Sequence, residues 1–191
     1  MERRKVLKAV GFTATAGLTG LAGCSAPSDE TDTPADDDTA TATDGGGDSS
    51  GGEGTTVEMI TSDDGSYYFD PIGLFVEPGT TVTFENVSGS HSATAYDESI
   101  DSASTTRIPE GASAFNSGIL SEEGATFEHT FETTGTYDYF CLPHKSLGMV
   151  GRIVVGEAGG PAEGSMPPDG DVPESGTIVD GGSVSYDEFS G

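Results

Sequence analysis

Positive charge is what this sequence has least of. Its 191 residues carry 7 Lys and Arg against 33 Asp and Glu, and four of the cations (Arg3, Arg4, Lys5 and Lys8) stand at the very start. Only Arg107, Lys145 and Arg152 follow. A chain without a basic surface releases no counterions from phosphates, which excludes nucleic acid as a partner. Cysteine is nearly absent too, with Cys24 and Cys141 alone. A structural zinc site draws four ligands from Cys and His, and beyond the N-terminal region there is one thiol. Histidine stops at three: His91, His129 and His144. No apolar run reaches the roughly twenty residues that a bilayer span requires.

The nearest approach to such a run, Ala9 to Ala22, is mildly apolar and rich in Ala, Gly and Thr. It follows the basic start Arg3-Arg4-Lys5 and leads into Leu21-Ala22-Gly23-Cys24, small residues before a cysteine. Residues 1–23 therefore read as a signal peptide. The twin arginine resembles the export signal of proteins that cross the membrane already folded. Leu-Ala-Gly-Cys looks like a lipobox, with cleavage before Cys24 and lipid attached to its thiol. This reading removes Cys24 from any disulfide with Cys141. Loss of the leader takes four basic residues and one acid (Glu2) with it, leaving 3 basic and 32 acidic residues and a net charge of −29. Such self-repulsion opposes compaction in dilute buffer, but at ~1 M salt the screening length falls to about 3 Å. A salt-rich habitat is the simplest account.

Residues 24–56 are mostly Asp, Thr, Ala and Gly, with Asp36-Asp37-Asp38, Gly45-Gly46-Gly47 and no aromatic residue. This composition buries too little apolar surface to fold. The expectation is a disordered acidic linker, a tether of about 30 Å on average if it behaves as a flexible coil. Residues 57–156 have the size of one domain and a period of two. Val82 and Phe84 alternate with Thr81, Thr83 and Glu85; Phe127, His129 and Phe131 with Glu128, Thr130 and Glu132; Tyr137, Tyr139 and Cys141 with Asp138 and Phe140. These are half-buried strands, with turns at Glu77-Pro78-Gly79, Glu122-Glu123-Gly124 and Thr134-Gly135. No long amphipathic helix competes, so the fold class is all-β, an antiparallel β-sandwich. From Glu157 onward Gly, Pro and acid dominate. In this tail, residues 157–191, Thr177-Ile178-Val179 and Val184-Ser185-Tyr186 are compatible with a short strand or hairpin, or with disorder.

Chemistry concentrates in Cys141-Leu142-Pro143-His144, followed by Met149. These are three soft or borderline metal ligands in one loop. Cys141 ends a strand, Pro143 breaks it, and Met149 returns just before the run Val150 to Val155. With a histidine from elsewhere, a thiolate, two imidazoles and a thioether hold copper in a geometry that both of its oxidation states tolerate. His144 is already in the loop, and His129 sits mid-strand between two phenylalanines. His91, in Gly89-Ser90-His91-Ser92, is the candidate.

The stretch from Phe140 to Gly151 resembles the ligand loop of the plastocyanin-like cupredoxins, and among them it is most similar to the halocyanins of salt-loving archaea. Further matches lie at Phe69-Asp70-Pro71, at Val76 to Phe84 and at Gly135-Thr136-Tyr137, so the similarity spans residues 57–156 and neither end. It implies a Greek-key cupredoxin sandwich and one type 1 copper ion held by His91, Cys141, His144 and Met149. It also implies an electron-transfer surface at Leu142, Pro143 and Leu147. Phe140, outward on its strand, occupies the place where plastocyanins often carry a tyrosine used in a second electron path. Ser92 stands where they usually carry an asparagine that ties the two ligand loops together. Lys145 either biases docking toward an acidic partner or is a solvated surface lysine.

These readings converge on a monomeric blue-copper electron carrier, lipid-anchored at the outer face of the cell membrane. It would shuttle single electrons between a redox protein donor and acceptor, themselves membrane-bound. A copper storage or delivery protein is the alternative from another class. An enzyme is not expected. A Cys141/His144 nucleophile pair gives Met149 no role, and multicopper oxidases or nitrite reductases need histidine clusters that three histidines do not supply.

Overall fold

The computed structural model describes residues 55–191. The expected leader, the lipid-attachment residue Cys24 and nearly all of the acidic linker lie outside the described residues. Strands β1 (Thr56–Thr61), β2 (Tyr67–Asp70), β4 (Thr80–Asn86) and β6 (Ala125–Phe131) form one sheet in the order β2-β1-β4-β6. Strands β3 (Gly73–Val76), β5 (Thr94–Ala95), β7 (Gly135–Phe140), β8 (Val150–Val155) and β9 (Ser183–Val184) form the other, in the order β5-β7-β8-β3-β9. The two layers make the Greek-key cupredoxin sandwich. Pairing is mixed rather than wholly antiparallel: β1 runs parallel to β4, and β3 to β8. Each of these pairs joins strands that the chain reaches by way of the opposite sheet, and parallel neighbours require a crossover of that kind.

The inner faces follow the period-two pattern. Val57, Met59, Phe69, Val82, Phe84 and Phe131 from the first sheet share one buried core with Leu74, Val76, Tyr137, Tyr139, Ile153 and Val155 from the second. His129 is half-buried in β6, its ring 4.6 Å from Phe115 and 4.7 Å from Phe131. It is a partly buried sheet histidine, in keeping with its place between two phenylalanines.

The outer faces differ. On the first sheet, Thr81 and Thr130 are exposed and hydrogen-bond to each other at 2.8 Å, as expected of a solvated face. On the second, every residue of β7 and β8 is buried, because the C-terminal segment and the loop that carries Tyr96, Ala103 and Arg107 cover it. That segment contains helix α1 (Ser175–Gly181), β9 and helix α2 (Tyr186–Ser190). Ile178 of α1 is buried, β9 pairs antiparallel with β3, and Tyr186 stacks on Tyr68 with centroids 4.1 Å apart. A capping box of Ser185 and Glu188 starts α2. Residues 157–191, left open by composition, thus continue the fold.

Beneath this cover lies a buried ionic cluster. Asp138, outward on β7 and fully buried, accepts from Arg107 Nε at 2.7 Å and from Arg152 Nε at 2.8 Å. The guanidinium groups then donate into the tail: Arg107 Nη2 to the carbonyls of Ala162 and Ser165, Arg152 Nη1 to Pro173 O at 3.3 Å. Burying such charges is costly unless they are paired and hydrogen-bonded, and here both conditions are met. The same cover corrects the expectation for Phe140. Its ring is fully buried with Tyr96, Ala103, Val150 and Val172, so it belongs to no electron-transfer surface.

Candidate metal centre

Two loops meet at one pole of the sandwich. The first follows β4, where His91 pairs with Leu120: His91 N–H donates to Leu120 O at 3.0 Å and Leu120 N–H to His91 O at 2.7 Å. The second runs from Cys141 to Met149 and is closed by its own backbone. Cys141 N–H donates to Met149 O at 3.0 Å, and Leu147 N–H to His144 O at 3.0 Å across the 3-10 turn Lys145–Leu147. Strand β7 ends at Phe140, one residue before Cys141 and ahead of Pro143, and the chain then turns so that His144 N–H donates to Cys141 O at 3.2 Å.

His91, Cys141 and His144 come together as the only trio of His, Cys, Asp or Glu donors found among the described residues. Cys141 Sγ lies 3.6 Å from His91 Nδ1 and 3.4 Å from His144 Nδ1, and the two nitrogens are 3.2 Å apart. Such a triangle matches bonds of roughly 2.0 to 2.3 Å from one ion to thiolate and imidazole. Met149, next after the loop, is fully buried and its backbone N–H donates to His144 O at 3.3 Å. A thiolate, two imidazoles and a thioether are a donor set for copper rather than for zinc.

The tautomer of His91 is fixed from behind. Its Nε2 lies 2.9 Å from Ser88 O and 3.0 Å from Thr61 Oγ1. A carbonyl there holds the proton on Nε2 and leaves the Nδ1 lone pair aimed into the trio. Gly89 makes this possible. It has φ of 88°, and a β-carbon on it would fall 2.3 Å from Thr61 Oγ1 and 3.3 Å from His91 Nε2.

Burial sets the charge of the trio. It lowers the pKa of His91 to about 4, with a smaller push from His144 and an opposing one from the Ser88 hydrogen bond. Burial also lowers His144. The Cys141 thiol is pushed up by burial, against hydrogen bonds from Ser92 and His144. At neutral pH the pole is therefore uncharged, and metal binding is coupled to loss of the thiol proton.

Ser92 does the tying that its small side chain left open. Its backbone N–H points at Cys141 Sγ from 3.4 Å, and its hydroxyl accepts from Leu142 N–H at 2.8 Å. One residue thereby links both ligand loops. Of the expected surface, Pro143 is exposed, Leu147 is 62% exposed and Leu142 is half-buried. Lys145 is not a solvated lysine: its Nζ donates to Ser102 O at 2.6 Å and lies 3.4 Å from Asp169 Oδ2. Sequence reasoning missed Tyr67, which stacks on His144 with centroids 3.8 Å apart and planes 16° from parallel. It arrives from β2, where Tyr67-Tyr68-Phe69 shows no clear alternation.

Residues 28–156 match a family model described as copper binding proteins, plastocyanin/azurin family. A halocyanin from Natronomonas pharaonis is 31% identical over 173 residues, covering 81% of this chain and 98% of the relative. A plastocyanin from Scenedesmus fuscus is 34% identical over 97 residues, covering 49% and 92%. Among solved structures, a pseudoazurin from Sinorhizobium meliltoi aligns over 54% of this chain and 73% of its own, at 31% identity and a TM-score of 0.42.

Proposed function

This chain belongs to the plastocyanin/azurin family of copper-binding proteins and binds one copper ion, and from that premise we propose that it is a blue-copper electron carrier. It exchanges single electrons between redox proteins at the outer face of the cell membrane, to which it is tethered through lipid on Cys24. The observation that carries the redox role is the trio of His91, Cys141 and His144 donor atoms 3.2 to 3.6 Å apart at one pole of the sandwich. Copper supplies a one-electron couple to such a donor set. His91, Cys141, His144 and Met149 would hold the ion.

What the chain contributes is constraint. Ser88 and Thr61 hold His91 in one tautomer, Ser92 fixes the spacing of the two loops, and Tyr67 braces the half-buried ring of His144. Stacking of that kind contributes about 0.5 to 1.5 kcal/mol beyond area burial. Donors that cannot relax between oxidation states keep the reorganisation small. Leu142, Pro143 and Leu147 form the docking rim next to His144. Phe140 takes no part, being buried. Among the described residues no helix is long and apolar enough to cross a membrane, and the anchoring rests on the N-terminal sequence.

The copper-loaded protein should be intensely blue when oxidised, bleach on one-electron reduction and recolour on oxidation. Cys141→Ser should lose the colour and keep the sandwich, because the band belongs to the copper–thiolate bond. Retention of the band in that variant would sink the assignment. A colourless cuprous protein that releases its metal readily would favour storage or delivery instead. For the tether, Cys24→Ala should free the protein from the membrane fraction or stall its processing; attachment unchanged and fully processed overturns the lipid reading.

A further inference from the structure

All three cations among the described residues bind the C-terminal segment. Arg107 and Arg152 hold it over the sheet, and Lys145 holds it against the ligand loop. At that second place Asp169 Oδ2 accepts from Tyr96 Oη at 2.7 Å and lies 3.4 Å from Lys145 Nζ. The ammonium also sits 4.6 Å from the Phe140 ring centroid. One residue on, the backbone of the segment presses on the loop itself. A β-carbon on Gly170 would come within 2.9 Å of both Gly148 O and Val150 Cγ2. Val172 then packs into the cluster of Tyr96, Phe140 and Val150. Residues 169 to 172 thus lie against the loop from Lys145 to Val150, which begins next to His144 and contains Met149.

We propose that Asp169 is a positioning residue of the copper loop, fixing Lys145 and Tyr96 so that the segment 169–172 sets where His144 and Met149 stand. This rests on the copper reading above. Two physical effects run through the same carboxylate. Together with Ser102 O, to which Lys145 Nζ donates at 2.6 Å, it holds the side chain adjacent to His144. It also balances the Lys145 charge next to the metal, and loss of that balance disfavours the more positive, oxidised ion.

The test uses the full chain loaded with one copper. Asp169→Asn should raise the reduction potential, shift the thiolate–copper band and speed copper loss to a chelator by roughly tenfold, the scale of outer-shell effects at metal sites. Asp169→Glu, which keeps the charge, should restore most of the potential. Glu163→Gln is the control: it loosens the same segment where Glu163 Oε1 accepts from Thr136 and Ser175, both at 2.6 Å. It should lower the melting temperature and leave potential, band and copper retention unchanged. If Asp169→Asn matches the wild type in all three, or if Glu163→Gln changes them equally, the positioning role is overturned and the segment is only a cover. A wild-type chain that takes up copper without colour overturns the copper reading itself, a result that no Asp169 variant can produce.

Discussion

Cys141 and Asp138, three residues apart, anchor two buried polar assemblies of opposite character. Cys141 faces inward, among groups that burial keeps neutral: two imidazoles held below their usual pKa and a thiol held above. Asp138 faces outward, under the tail, between two guanidiniums of which every nitrogen finds an oxygen atom. The metal pole has the two imidazole Nδ1 atoms and the Cys141 sulfur turned toward one another, with one backbone N–H, that of Ser92, pointing at the sulfur. The ionic cluster has nothing left to accept. An unsaturated buried site is poised to take a charge from outside, whereas a saturated one locks together the segments that supply it.

That contrast predicts where damage should fall. Asp138→Asn removes the one carboxylate between two buried arginines, and breaking a buried pair in this way costs about 3 to 5 kcal/mol. Denaturant unfolding should show a loss of that size, while the folded fraction keeps an unaltered copper band. A loss under about 1 kcal/mol would mean that the guanidiniums find other partners or water. The converse substitution is Ser92→Ala at the metal pole. It leaves the Leu142 N–H without its acceptor, at a cost of roughly 1 to 3 kcal/mol. Here the copper spectrum should move along with stability. A spectrum identical to wild type would show that Ser92 does not tie the loops.

The two assemblies also differ in how far the sequence announces them. Three of the four proposed ligands fall within nine residues, and scarcity of histidine leaves His91 and His129 as the only choices for the fourth; the alternation around His129 marks it as a strand residue. Strands β4 and β6 are legible because water on one side enforces alternation. In β7 and β8 both faces are buried, so the pattern places Phe140 on the far side without saying that this side is covered. The cover itself is nearly invisible in composition. Its apolar contacts come down to a few residues such as Ala162, Val172 and Ile178, and much of its hold comes from backbone carbonyls accepting from Arg107, over fifty residues away. Neither carbonyls nor long-range partners leave a periodic signal. Tyr67 escaped for a related reason, since its partner His144 lies 77 positions along the chain.

The smallest effect separates the saturated cluster from the general acidity of the chain. Glu163 is desolvated, which raises its pKa, but hydrogen bonds from Ser175 and Thr136 and the charges of Arg152 and Arg107 outweigh this and leave it lowered. A carboxyl whose folded pKa is depressed contributes stability above its unfolded pKa, about 4.3, and loses it as pH falls through the folded value. The wild-type stability curve hides this, because protonating the many surface carboxylates also relieves repulsion. The difference between wild type and Glu163→Gln does not. Melting temperatures of the two should be separated by a constant gap from pH 7 down to about pH 5, converge below pH ~4 and coincide once Glu163 is protonated, since a neutral carboxyl and an amide are nearly equivalent there. A gap that persists at pH 3 would mean that shape, and not charge, is what Glu163 brings to the cover.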